Sequence, residues 1–211
     1  MNIQFQVDSA PVLGPLLVLF ATGTVVQVRR GAWDRRRALL QLAAAVYVAA
    51  VLSLTIFPLN MVWGDYANQA SWISQINFIP LLTADITMVP NVIMMVPAGF
   101  LLPLVFRHAT SASRATLMTA AASLAVEAAQ LLSYLVLNNG RAVDVNDLLA
   151  NTLGGLIGYA LVVLALRAPA LRRPLLAASL PRSAARQDDR RRTVTVDGPR
   201  PAPIAAPVVR P

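Results

Sequence analysis

Five long apolar runs leave this chain few ways to fold. They cover residues 11–28, 38–59, 86–106, 116–137 and 148–166, and Glu127 is the one charged side chain inside them. About 20 apolar residues in a helix cross a hydrocarbon core of ~30 Å. The runs therefore predict an all-α fold: a polytopic membrane bundle of five transmembrane helices. Hydrophobic residues make up 56% of the chain and charged residues 13%, about half the charge of a soluble domain. The third run holds Pro90, Pro97 and Pro103, which predicts a kink or backbone groups satisfied by neighbouring helices. With no Cys and a single His, disulfides, zinc-thiolate sites and multi-histidine metal sites are excluded. No cofactor or metal is expected.

Three further stretches fill in the organisation. Residues 60–85 carry Trp63, Tyr66 and Trp72, side chains suited to a membrane interface. The apolar run 76–82 is too short to cross and reads as re-entrant or interfacial. Residues 168–211 hold eight of the fifteen prolines and nine Arg, which predicts a disordered tail lying against anionic lipid. The expected division is 1–75 for two helices and an external loop, 76–167 for the membrane core, and 168–211 for the tail.

Every basic residue is Arg, and their placement sets an orientation. Residues 29–37 hold five, 107–114 hold two, and 167–211 hold ten, against Arg141 alone on the opposite side. By the positive-inside rule the first three regions are expected in the cytoplasm and the N-terminus outside. The same distribution speaks against nucleic acid as the partner of this +8 chain; the expected partners are membrane lipids. Residues 1–10 carry no basic residue, so the first run reads as an uncleaved anchor rather than a signal peptide.

Polar residues inside the runs mark a candidate site. An acid at membrane depth costs roughly 2.5–3.5 kcal/mol on insertion scales, and such acids face the bundle interior or water. Helical spacing places Ser123, Glu127 and Gln130 on one face of the fourth run. A second group, Arg141, Asp144, Asp147 and Asn151, straddles the start of the fifth. Asp144 suits an N-cap and Asp147 the first turn. Asn77 and Asn91 complete the set. From a rise of 1.5 Å per residue, Asn91 is expected about 8 Å, Gln130 about 10 Å and Glu127 about 15 Å below the outer end, with Asn151 near the surface. These depths predict an outward-facing polar pocket. Gly154 and Gly158, four apart, predict a helix-packing face.

The order of these pieces resembles the VanZ-like family of bacterial membrane proteins. The resemblance runs from Ile76 to Tyr159 and rests on Asn77-Phe78-Ile79-Pro80, on Asn91 through Pro103, on Ser123, Glu127 and Gln130, and on Gly140 through Asp147 continuing to Asn151 through Gly158. It implies a cell-envelope protein, and the founding member is linked to teicoplanin resistance.

Three functional readings follow. In the first, a non-catalytic pocket binds a lipid-linked wall precursor, a lipid headgroup or a glycopeptide, with Arg141 meeting a phosphate or carboxylate. In the second, Glu127 is the general base of an intramembrane enzyme acting on a lipid-like substrate. Neither Gly-x-Ser-x-Gly nor His-Glu-x-x-His occurs, so binding is read ahead of catalysis. In the third, the buried acid carries protons in a transporter, although no inverted repeat is visible in the chain.

Overall fold

The computed structural model describes residues 3–65, 67, 71–79, 88–139 and 143–196. Five helices among them are long and apolar enough to cross a membrane: α1 Ser9–Arg29, α2 Arg35–Thr55, α3 Met88–Val105, α4 Ala112–Leu137 and α5 Val145–Arg167. Each coincides with one predicted run, and local chemistry sets the ends. Asp34 caps α2 by accepting from the Arg37 amide at 2.9 Å, and that hydrogen bond holds its carboxyl below the usual range. Ser111 caps α4 through the Arg114 amide. Asn138, with φ 55°, closes α4 in the left-handed region, which Asn tolerates better than most residues. The second run was expected to stay helical to Leu59, but α2 stops at Thr55. Pro58 disfavours helix at the residue before it and has no N–H to continue one.

Short strands gather at one end of the bundle. β1 Ile3–Val7 pairs antiparallel with β2 Leu59–Trp63, in register from Ile3 opposite Trp63 to Val7 opposite Leu59. After a 3-10 turn over Trp72–Gln75, β3 Ile76–Asn77 pairs in parallel with β4 Val143–Asp144. Trp63 and Trp72 are exposed here; Tyr66 and 80–82 lie outside the described residues. The opposite end carries the Arg-rich turns.

Residues 169–196 correct the expectation of a disordered tail. They form α6 Pro169–Ala178 and α7 Ala184–Val196. Composition alone missed the specific bonds that hold them. The Arg186 guanidinium donates to the carbonyls of Leu176 at 3.0 Å and Ala177 at 3.1 Å, closing the end of α6. Arg172 of α6 pairs with Asp189 of α7. Backbone amides of Leu180 and Ala184 donate to the carbonyls of Leu104 and Phe106, at 2.9 and 3.0 Å. Leu104, Val162 and Ala185 then pack together. The Pro-rich stretch 197–211 lies outside the described residues.

Packing within the bundle is the reverse of a soluble core. Leu16, Leu19, Leu39, Leu54, Leu117, Leu124 and Leu132 are exposed, while Thr119, Ser123, Glu127 and Gln130 are buried. Lipid offers large apolar side chains as good a solvent as a core does, so helices associate through small and polar residues. The tightest seam joins α3 and α5. A Cβ on Gly158 would lie 1.9 Å from the Val96 carbonyl oxygen, one on Gly99 1.9 Å from that of Gly155, and one on Gly154 2.2 Å from that of Val92. Gly155 turns toward α4, where a Cβ would meet Thr119 Oγ1 at 2.3 Å. Gly154 and Gly158 lie where α5 comes close to α3, and Gly99 lies opposite them. Pro97 and Pro103 sit inside α3 without ending it. Near the first, the Tyr47 hydroxyl of α2 donates to the Met94 carbonyl at 2.9 Å.

Because backbone atoms oppose these glycines, Gly99→Ala and Gly158→Ala are expected to destabilise the bundle by about 1–3 kcal/mol each, the usual cost of overpacking. Gly14→Ala and Gly23→Ala, where no atom lies within 4 Å, are expected to leave it unchanged. Thermal unfolding in detergent checks the contrast.

Candidate functional site

The site is built where α3 and α5 begin beside the middle of α4. The β3–β4 pairing sets Asn77 opposite Asp144. Asn77 Nδ2 lies 3.2 and 3.1 Å from the two carboxylate oxygens of Asp144, and its own carbonyl oxygen accepts from the Ile79 amide at 3.2 Å. Asp144 is the N-cap of α5, accepting from the Asn146 amide at 2.8 Å. Its backbone N–H donates to Glu127 Oε2 at 3.3 Å. Asp147, in the first turn of α5, accepts from Asn91 Nδ2 in the first turn of α3. Deeper in the bundle, Asn151 Nδ2 donates to Ser123 Oγ at 2.9 Å, with both residues buried.

Five of the predicted residues, Asn77, Asn91, Glu127, Asp144 and Asp147, thus meet around the start of α5, and two more, Ser123 and Asn151, pair deeper. Gln130 is buried but turns to another neighbour, donating to the Thr55 carbonyl of α2 at 2.9 Å. Asn151 also departs from expectation. It was placed near the surface, yet its partner Ser123 lies fourteen residues, about 21 Å, before the end of α4 at Leu137. The sequence estimate set every span to one common outer plane. In the structure α4 rises well above the first turns of α3 and α5, so Glu127 stands at the level where those two helices begin. Arg141 lies outside the described residues.

This staggering explains how three acids are held together. The N-terminal end of a helix carries the positive pole of its dipole and unpaired N–H groups. The start of α5 holds Asp144 as its N-cap and Asp147 in its first turn, and the Asp144 amide there meets Glu127. No basic side chain makes an ion pair with any of the three among the described residues. Nor, among those residues, is any group of three His, Cys, Asp or Glu arranged to hold a metal ion. A carboxylate has about four acceptor positions, and among the described residues Glu127 is given one long hydrogen bond. The arrangement offers acceptors to a ligand carrying hydroxyl, amide or ammonium donors, or a base to a substrate proton.

Residues 44–166, more than half of the chain, match the family model VanZ/LLP1. The chain belongs to the VanZ/LLP1 family. The match takes in the second half of α2 as well as the core from Ile76 onward, reaching further toward the N-terminus than the quoted motifs. No curated protein and no solved structure matches the chain.

Sequence reasoning passed over a second polar group in this VanZ/LLP1 bundle. Asn139 and Ser133 are buried at the end of α4. Asn138 Nδ2 donates to the Val62 carbonyl at 2.9 Å, tying α4 to β2. The Asn138-Asn139 pair following an apolar run was the available signal, since Asn favours left-handed helix ends.

The Ser123–Asn151 bond is the isolated interhelical link of the site and can be measured as one. A double-mutant cycle of Ser123→Ala and Asn151→Leu is expected to return a coupling of about 0.6 kcal/mol, the average for such bonds in membranes. Unfolding in mixed micelles would read it, and additive single effects would show that the two helices do not meet there.

Proposed function

We propose that this VanZ/LLP1 protein is a cell-envelope membrane protein that binds the polar head of a lipid-linked wall precursor, a lipid headgroup or a glycopeptide. The Arg-rich end faces the cytoplasm in this reading, and the strand-bearing end faces outward. The carrying observation is Glu127: buried, met by the amide at the N-cap of α5, grouped with Asp144 and Asp147, and given one long hydrogen bond among the described residues. Such an acceptor-rich cluster suits a ligand with several donors, as sugars and peptide amides have. Arg141, four residues before α5, would add a cation for a phosphate or carboxylate on the same ligand. An effect on teicoplanin susceptibility belongs to this reading.

The same observation favours a second reading, an intramembrane enzyme acting on a lipid-like substrate. A carboxylate with spare acceptor positions and little water around it has the character of a general base. Proton transfer to Glu127 would start the chemistry, and Arg141 would meet developing negative charge.

Expression in a glycopeptide-susceptible strain is expected to change the inhibitory concentration of teicoplanin. Glu127→Gln and Arg141→Ala are each expected to abolish the change at equal protein levels in the membrane. An unchanged response to the wild-type protein defeats the binding reading. Mass spectrometry of lipid extracts from the same cells separates the second: a converted lipid that disappears with Glu127→Gln identifies an enzyme, and unchanged extracts argue against one.

A further inference from the structure

The α1–α2 hairpin stands off from α3 and leaves an apolar cleft of about 470 Å³, with walls that include Leu17, Phe20, Ala45, Val48, Ala98 and Leu102. Gln41, six residues into the 21-residue α2, lines the cleft toward its Arg-rich end. Its Nε2 is buried with no acceptor among the described residues. One turn earlier on the same face of α2, Arg37 Nε is buried and also lacks an acceptor, although another nitrogen of that guanidinium lies 3.8 Å from Asp34. Arg37 is not part of the cleft wall; Gln41 is. A buried donor without an acceptor at the wall of an apolar cleft is costly in a span where hydrocarbon supplies no hydrogen bond.

A bilayer lipid supplies what Gln41 lacks. It carries an acyl chain for the walls and ester or phosphate oxygens for the amide. Arg29, Arg30, Arg35, Arg36 and Arg37 cluster around the turn that leads into α2, which favours an anionic headgroup there. We propose that this cleft binds one anionic glycerophospholipid, its acyl chain between the hairpin and α3, an ester or phosphate oxygen on Gln41 Nε2, and its charge toward the Arg cluster at the turn. The site is separate from the Glu127 cluster at the other end of the bundle.

The test uses the purified full chain in neutral detergent, titrated with phosphatidylglycerol, phosphatidylcholine or inorganic phosphate, and read by native mass spectrometry and thermal unfolding. One phosphatidylglycerol is expected to bind per chain and raise the unfolding temperature; inorganic phosphate is expected to do neither, and phosphatidylcholine to bind more weakly. Gln41→Leu is expected to weaken phosphatidylglycerol binding roughly three- to tenfold, the worth of one hydrogen bond. Ala45→Phe, which fills the cleft, is expected to remove it. Equal binding by Gln41→Leu, equal effects of inorganic phosphate or phosphatidylcholine, or a dimer whose second copy covers the cleft would each overturn the proposal. Should either variant fail to fold, photo-crosslinking of wild-type protein with an acyl-labelled phosphatidylglycerol decides: label on the cleft walls of α1 to α3 supports the site, and label elsewhere refutes it.

Discussion

The close approach of α3 to α5 is the constraint on which the rest of this bundle depends. Backbone meets backbone at Gly99, Gly154 and Gly158, with no space for a Cβ. In hydrocarbon, where apolar side chains gain nothing by leaving the solvent, such contact is a main source of helix association. It also sets the level at which α5 enters the bundle. With that level fixed, Asp147 faces Asn91, Asn151 faces Ser123, and the amide of Asp144 reaches Glu127. A shift of one helical turn along the seam would part all three pairs. The acids of the site therefore rely on glycines that carry no chemistry of their own.

The spans and the buried face of α4 were legible in the residues. Apolar length marks a crossing helix, and helical spacing places Ser123, Glu127 and Gln130 together wherever the helix ends up. Asp144 announced itself as a cap for the same local reason. Relative depth was not legible. It depends on how far the segment between α4 and α5 descends before helix resumes, and no periodicity records that. Asn151 was misplaced on this account. The helices of 169–196 were hidden for a different reason: high Arg and Pro content argues against a folded segment, while the bonds of Arg172 and Arg186 depend on tertiary neighbours. Gly99 and Gly155 lay in plain view, but a glycine in a helix reveals its packing role only once the opposing backbone is known.

The two ends of the molecule handle charge in opposite ways. At the strand-bearing end, acids are gathered and held by amide side chains and helix N-termini. At the other end, guanidinium groups lie at the turns, some engaged by Asp34, Asp188 and Asp189. Positive charge of the second kind favours anionic lipid nearby. Carboxylates of the first kind disfavour a bare phosphate and favour hydrogen-bond donors.

The amides of Leu180 and Ala184 donate to the carbonyls of Leu104, in the last turn of α3, and of Phe106, just past its end. These partners are more than seventy residues apart along the chain. A ribosome feeding this protein into a bilayer delivers all five crossing helices before either amide has emerged. The contact of 180–184 with the end of α3 therefore forms only after every crossing helix has been made.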